Sequence, residues 1–490
     1  MDREAMLGAL RASGEPWDFI VVGGGATGLG VAIDAASRGY EVVLLEQSDF
    51  AKGTSSRSTK LVHGGVRYLQ QGNVSLVLEA LRERGVLLKN APHVVHKQAF
   101  VIPCYSLWQR VFYGAGLKVY DILAGKYGIG RSRFLSRREV VDRLPDIASS
   151  GLTGGVLYFD GQFDDARLLI DMAVTASSHG AAILNYAAVT GLEFDGNEMI
   201  SGVEFRDVEN GGSFSAKARV VINAAGAFCD AVRNLSDPKA GDIITYSQGV
   251  HLVFENKYLA GDSALMIPKT NDGRVLFCIP WHGRLLVGTT DTPVETPLLE
   301  PTALEEEINF VLDTAGNYLR PKPTRADILS VFAGIRPLVN DSAAATKTSM
   351  ISRGHDLFVD RSGLITITGG KWTTYRRMAE DAIDRAIAVA GLPRRPCLTA
   401  DLEITNEAFS ASESLHPRLP CTREEVTRAV HFEMARTVED VLARRTRVLF
   451  LDARAAIEIA PEVAEIMANE LGRDQEWVSE QVRDLKKLAE

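Results

Sequence analysis

The stretch "FIVVGGGATGLG" (residues 19–30) constrains this chain more than any other. Four apolar residues run straight into a glycine cluster, so a buried strand ends where the backbone is least hindered. Gly23, Gly25 and Gly28 stand at the GxGxxG spacing. In such a turn the first glycine permits the tight bend and the second lets backbone approach a pyrophosphate. The third lets helix and strand pack closely. The following segment, Ala26 to Ser37, is rich in helix formers, and its N-terminus would meet negative charge with free N–H groups and the positive end of the dipole. Glu46 closes the next strand, "EVVLLE", about 20 residues on, where an acid can take ribose hydroxyls. A glycine turn alone also fits a purely structural bend. The preceding strand, the following helix and the downstream acid together point to a dinucleotide.

With 490 residues, the chain is too long for one ordinary core and suggests two or three domains. Its net charge of -9 argues against nucleic acid as the main partner. The five cysteines are scattered without metal spacing, which suits a reduced, cytosolic compartment. The first residues, "MDREAMLGALRASGEPWDF", lack the apolar centre of a secretory signal. No run approaches the roughly 18 apolar residues of a spanning helix, so any membrane contact is expected from the surface.

Two later segments repeat the strand–glycine–helix junction: "VVINAAGAF" with Gly226, and "LITITGGKWTT" with Gly369 and Gly370. Between them, residues 242–293 are β-rich, with "GVHLVFE", "RVLFCIPW" and "RLLVGTTD" bounded by Gly, Asp and Asn. A nicotinamide domain needs no third glycine turn after such an insertion, whereas a large flavin stretched across a discontinuous domain can use it. The expected fold is therefore α/β: a discontinuous Rossmann-like FAD-binding domain, a β-rich substrate domain and a C-terminal helical domain. The oxidoreductase part spans 15–395, with FAD-binding segments about 15–99, 155–240 and 330–395 and substrate-domain segments about 100–154 and 241–329. Residues 396–490 form the helical tail, where Thr422 and Glu425 give a capping-box signature. Residues 100–150 read as an aromatic, basic stretch without clear alternation.

The motifs "VVGGGATGLG", "GTSSRSTKLVHGGVRYL", "FDDARL", "GTTDT", "GIRPL" and "GGKWTTYR" occur in that order from residue 18 to about 380. In them the chain resembles the FAD-dependent glycerol-3-phosphate dehydrogenases, within the glycine-oxidase and amino-acid-oxidase superfamily. The tail from about 396 is similar to that family's C-terminal domain. The resemblance implies FAD as cofactor, oxidation of sn-glycerol 3-phosphate to dihydroxyacetone phosphate, and a quinone as electron acceptor. It also implies that His63 packs against flavin. Cofactor contacts are further expected from Leu61, Gly64, Gly65, Val189, Ala225, Gly226, Gly334, Gly370, Lys371 and Thr373. Thr54, Ser55 and Ser56 are hydroxyl donors on a glycine-bounded loop, suited to the pyrophosphate and ribityl chain.

A small dianion needs fixed positive charge, preferably from Arg. Arg67 in "HGGVRYL", Arg336 in "GIRPL" and Lys371 in "GGKWTT" each lie beside glycines, and Arg353 in "ISRGH" is a fourth candidate. Tyr68 and Thr290 complete the expected substrate contacts. The alcohol proton needs an acceptor with a pKa near working pH, which favours histidine. His251 in "GVHLVF" is the expected acceptor, the alternative being a core histidine satisfied by its neighbours.

Residues 108–133 carry five basic residues (Arg110, Lys118, Lys126, Arg131, Arg133) against one acid, Asp121, interleaved with aromatics. That combination suits an in-plane membrane contact. The expected localisation is cytoplasmic, peripheral on the inner face of the cytoplasmic membrane. A homodimer is left open, as is the tail's role as lid, dimer contact or cap. Rival readings are an oxidase using oxygen, an amino-acid or amine oxidase of the same fold, and a non-catalytic dinucleotide sensor.

Overall fold

Parallel pairing brings the three glycine turns to one edge of one sheet. The computed structural model describes residues 1–12, 14–70, 72–270, 273–340, 354–406 and 414–490, with Arg67 and Gln70 described by backbone alone. The sheet core runs in the order Ile365–Gly369, Ser213–Asn223, Trp17–Val22, Val42–Leu45, Ala182–Leu184, each neighbouring pair parallel. Its strands are near-continuous apolar runs because both faces are covered: Phe19, Ile20 and Val21 are fully buried. Each such side chain contributes about 1.5–3 kcal/mol when taken out of water. The chain leaves Trp17–Val22 toward Val42–Leu45 on one side, while Ser213–Asn223 lies on the other. That is a topological switch point, where an open α/β sheet forms a crevice at the carboxyl ends of its strands.

The helix Ala26–Ser37 opens directly from the first turn, with Gly25 in extended backbone at its N-cap and no side-chain cap. Gly23 holds φ +112, and a Cβ there would meet the Ala224 carbonyl oxygen at 2.7 Å. A Cβ at Gly28 would run into the Gly23 carbonyl, so the helix can sit against the strand only with glycine there.

A second, ten-stranded mixed sheet stands beside the first. Its central strand, Ile244–Glu255, pairs antiparallel with Ser330–Val339 on one side and with Arg284–Gly288 and Thr292–Val294 on the other. This sheet also takes in Leu61–Val62, Gly154–Phe163 and Ser330–Val339, which the sequence boundaries group with the FAD-binding segments. Those strands are apolar runs that suit either sheet, and only their long-range pairing distinguishes the two.

Residues 100–150 hold regular structure where no period is legible. Val95–Cys104 is a strand, Leu107–Ala124 an 18-residue helix, Arg133–Ser136 a strand and Arg137–Arg143 a helix. The long helix buries Gly114, Leu117, Tyr120 and Ala124. It leaves Trp108 74%, Ile122 75% and Val111 58% exposed.

The described part of the tail holds a two-stranded hairpin, the long helices Arg423–Glu433, Ala453–Leu471 and Gln475–Ala489, and between the first two a π-helical turn, Asp440–Arg445, and the short helix Val448–Leu451. The capping box forms as expected: the Glu425 N–H donates to Thr422 Oγ1 and the Thr422 N–H to Glu425 Oε2. The apolar face of these helices merges with Leu61, Tyr120 and Phe332 in one core cluster. The tail thus packs against the oxidoreductase body.

Candidate active site

Three cavities of about 350, 280 and 170 Å³ follow one another from the switch point into the second sheet. The first two share Thr54, Ser55, Arg57, Ala224 and Gly226; the second and third share Thr59, His63, Tyr68 and Arg336. Together they form a trough.

The first cavity is a backbone cradle. Gly23, Gly25 and Gly226 line it, and a Cβ at Gly226 would point into open space. Glu46 borders it at the end of its strand, with Oε2 accepting from the Gly24 N–H at 2.6 Å and Oε1 from the Ser48 N–H at 2.9 Å. Burial raises the Glu46 pKa above the usual carboxylate value, against those two backbone bonds. Ser55 Oγ accepts from the Ala26 N–H at the helix N-terminus, and Thr54 Oγ1 donates to the Ile335 carbonyl. Val189 and Ala225 complete the wall among the expected residues. Ser56 and Gly64 line none of the three cavities. The Ser56 carbonyl accepts from Lys60 Nζ, and the Gly64 N–H donates to Asp160 Oδ1 at 3.3 Å. Gly28 acts one layer below, in helix packing.

The second cavity is the cationic end. Lys371, Arg336, His251, His63, Tyr68, Leu61, Gly334, Gly370 and Thr373 all border it. Register explains the meeting: His251 lies opposite Phe332, Gly249 opposite Gly334, and Ser247 opposite Arg336 on paired strands. His251, Gly249, Gly334 and Arg336 therefore share one face, and the two glycines clear the space between them. A Cβ on Gly249 would strike the Arg336 guanidinium. Arg336 donates from Nη1 to the Thr290 carbonyl at 3.1 Å and from Nη2 to Thr289 Oγ1 at 3.1 Å. Asp291 Oδ1 lies 3.5 Å from Nη1. Lys371 Nζ stands 3.8 Å from the centre of the Tyr68 ring. Thr373 Oγ1 accepts from the His63 N–H, tying the last glycine turn to the "VHGG" loop.

Thr290 lines the third cavity with its hydroxyl already engaged, accepting from the Val250 N–H and donating to buried Glu307. Arg353 lies outside the described residues. Arg67 sits in the short helix Val66–Gln70, its side chain likewise outside them.

His251 is 1% exposed. Its Nε2 is 3.0 Å from Thr59 Oγ1, and its ring stacks on Phe332 at 5.0 Å. Burial first, then the charges of Lys60 and Arg336, hold the imidazole well below the usual histidine range. It is therefore neutral at physiological pH and open to a proton, but it is a weaker base than an ordinary histidine, not the match to working pH that the sequence suggested.

Sequence reasoning passed over several lining residues. Arg57 borders both larger cavities and is anchored by Glu300 at 2.5 Å. Arg274 borders the third, adding a cation beside Arg336. Trp372, next to Lys371, donates from its indole to the Ser55 carbonyl at 2.9 Å. Arg57 lies inside "TSSRSTK", where the charge itself was a usable signal; Arg274 has no such context.

The trough fits FAD. Glu46, Gly25 and the helix N-terminus suit the adenosine and pyrophosphate end, and the glycine-lined cationic end suits the isoalloxazine. In comparison with known proteins, the FAD dependent oxidoreductase family matches residues 18–376, and the C-terminal domain of alpha-glycerophosphate oxidase matches residues 397–478. The mitochondrial glycerol-3-phosphate dehydrogenase SDP6 of Arabidopsis thaliana is 39% identical, covering 100% of this chain and 87% of that protein. The mitochondrial glycerol-3-phosphate dehydrogenase of Homo sapiens is 38% identical over 99% of this chain and 75% of its own length. Among solved structures, the glycerol-3-phosphate dehydrogenase from Bacillus halodurans complexed with FAD superposes with a TM-score of 0.79 at 27% identity, covering 99% of this chain and 97% of that one. The L-alpha-glycerophosphate oxidase from Mycoplasma pneumoniae, at 18% identity and a TM-score of 0.62, shares the fold over 80% of this chain and 100% of its own. The chain belongs to the FAD-dependent glycerol-3-phosphate dehydrogenases.

Proposed function

We propose that this chain oxidises sn-glycerol 3-phosphate to dihydroxyacetone phosphate and passes the electrons to a quinone at a membrane surface. One observation carries the chemistry: Arg336, Lys371 and neutral His251 converge on a single glycine-walled cavity continuous with the dinucleotide cradle. Arg336 and Lys371 bind and orient the substrate phosphate, with Arg67, Arg353 and Tyr68 assigned to the same group on the motif match. Thr290 acts indirectly, its carbonyl holding Arg336. FAD held in the trough would supply the acceptor for the hydride of the alcohol carbon. His251 takes the hydroxyl proton, and the surrounding apolar wall of Phe332 and Leu61 excludes water.

The cofactor-side assignments are Gly23, Gly25 and Glu46 for the adenosine and pyrophosphate, with Gly28 holding the helix against the strand beneath them. Thr54, Ser55, Val189, Ala225 and Gly226 serve the middle of the trough, while Ser56 stands behind it, its carbonyl held by Lys60. Leu61, His63, Gly65, Gly334, Gly370, Lys371 and Thr373 serve the flavin end, while Gly64 lies outside the cavities with its N–H on Asp160. With this assignment goes a boundary at about 395 between the oxidoreductase body and the helical tail.

The outer face of the helix Leu107–Ala124 supports the membrane contact. Leu107, Trp108, Val111, Phe112, Val119 and Ile122 are exposed along it. Lys126 and Arg131, just beyond this helix, can meet anionic headgroups, while Lys118 is engaged with the Ser132 carbonyl and lies 3.9 Å from Asp121. Arg133 is already paired with Glu139 at 2.7 Å, so apolar insertion dominates over charge. Among the described residues no helix is long and apolar enough to cross a membrane.

Anaerobic glycerol 3-phosphate should bleach the yellow holoenzyme, and a soluble quinone should then restore the colour much faster than air. Restoration by oxygen at the quinone's rate would make the protein an oxidase. Absence of bleaching would remove the substrate.

A further inference from the structure

Behind His251 lies a buried charge cluster that the oxidation chemistry does not itself use. Lys60 is fully buried, and its Nζ donates to Asp165 Oδ2 at 2.7 Å, to Asp165 Oδ1 at 3.0 Å and to the Ser56 carbonyl at 2.7 Å. Three acceptors for three N–H groups is the coordination of an ammonium. Asp165, also fully buried, accepts in addition from Ser58 Oγ at 2.7 Å and from Arg447 Nη2 at 3.1 Å. Arg447 comes from the C-terminal tail, and the same Nη2 donates to the Ser56 carbonyl at 3.1 Å. Asp165 is therefore shared by two cations, and Asp164 Oδ1, 3.5 Å from Arg447 Nε, adds a second carboxylate, so that two cations face two carboxylates.

The cluster touches His251 twice. Thr59, next to Lys60 in the chain, places its hydroxyl on Nε2. Phe332, on which the imidazole stacks, is also the ring nearest Lys60, with Nζ 4.9 Å from its centre. We propose that Lys60 is a positioning residue for the oxidation: anchored by Asp165 and by Arg447 from the tail, it fixes the orientation of the His251 imidazole through Thr59 and its charge state through its own positive charge. This inference rests on His251 being the proton acceptor, and it gives the tail a task, since Arg447 completes the anchor.

The charged groups around the pair are few. Lys60 faces Asp165, Arg447 and, more distantly, Asp164, which itself pairs with His282 at 3.0 Å. His251 faces Lys60 and Arg336, the latter with Asp291 beside it, and Lys371 borders the same cavity. Burial, with Arg447 adding to it and Asp165 opposing, brings the Lys60 pKa down to about 7. Lys60 is thus charged in the acidic range where His251 would gain a proton, and it opposes that protonation.

The test uses holoenzyme labelled with 13C at histidine, the His251 signal being assigned by its loss in His251→Asn. In the unaltered protein the ring should protonate only well below pH 6.5. In Lys60→Met, or in Lys60→Gln should the former not fold, the titration should move up by about one unit or more, since a unit charge has left a low-dielectric neighbourhood. The acidic limb of the flavin-reduction profile should move with it. Lys60→Arg should return both toward the original values. A FAD-replete Lys60→Met or Lys60→Gln variant whose His251 titrates where the parent's does would overturn the proposal. The underlying assignment fails separately, if His251→Asn reduces its flavin at the parental rate.

Discussion

The two ends of the trough are built by different means. The dinucleotide end is backbone: a strand, a glycine turn, a helix N-terminus and one carboxylate, all from residues 17–46 and their neighbours at 224–226. The substrate end is side chains gathered from separate stretches of chain, at 59–68, 249–251, 336 and 371. Backbone cradles tolerate almost no added volume, because each glycine is a steric requirement. Side-chain clusters tolerate volume but not loss of charge or of a donor. The same molecule should therefore fail in two distinguishable ways.

The largest effect belongs to the cradle. Gly28→Val drives a branched side chain into the Gly23 carbonyl, so the helix must part from the strand. The purified variant should contain essentially no flavin by absorbance and should melt at a lower temperature, strain of this kind costing at least about 1–3 kcal/mol. A yellow, stoichiometric Gly28→Val protein would show that the turn carries no close packing.

At the other end, Arg336→Met should leave FAD bound while kcat/KM for glycerol 3-phosphate falls about 10²- to 10⁴-fold, the loss of two charge-assisted bonds at about 1.5–3 kcal/mol each. His251→Asn should likewise keep its flavin and lose about 10²- to 10⁴-fold in the rate of flavin reduction, the usual worth of a positioned base. Because His251 is held well below the ordinary histidine range, the parental rate should stay flat from pH 6.5 to 8 with respect to this group and fall only in more acid solution. A limb centred near pH 6.5 that vanishes in His251→Asn would show an imidazole in ordinary solvent rather than a buried one.

The smallest effect lies outside the trough. Replacing Trp108 and Ile122 together by Ser should lower binding to liposomes about tenfold or more, each side chain losing about 1–3 kcal/mol of apolar burial. Turnover with a soluble acceptor should be unchanged. Gln in place of Lys126 and Arg131 should do less. Unchanged flotation in the Trp108/Ile122 variant would move the membrane contact elsewhere.

How far the letters alone reach follows the same division. Gly23, Gly25, Gly28 and Glu46 are legible because their spacing lies within a single strand–helix–strand unit, where local geometry dictates residue type. Arg336, Lys371 and His251 are legible only by motif, since Arg336 and His251 meet through a pairing of strands that sets Gln248 beside Arg336, 88 residues on, and Lys371 arrives from the last glycine turn of the other sheet. The Leu107–Ala124 helix is hidden for another reason. Apolar residues occupy its inner side at Leu117 and Tyr120 and its outer side at Trp108 and Ile122, so no polar face marks the helical period. Lys60 and Asp165 lie inside the motifs "GTSSRSTKLVHGGVRYL" and "FDDARL", but nothing in the letters joins them to each other or to Arg447, since Asp165 stands 105 residues from Lys60 and 282 from Arg447.

The sharpest measurement is the anaerobic reduction of bound FAD by glycerol 3-phosphate against glycerol, in the parent and in an Arg336→Met/Lys371→Met double variant. Cations poised for the phosphate should make the phosphorylated alcohol better by a factor of about 10³ or more in the parent, corresponding to about 4 kcal/mol, and that preference should collapse in the double variant. Equal rates for the two alcohols in the parent, or an undiminished preference in the double variant, would mean that these side chains do not face the reacting substrate.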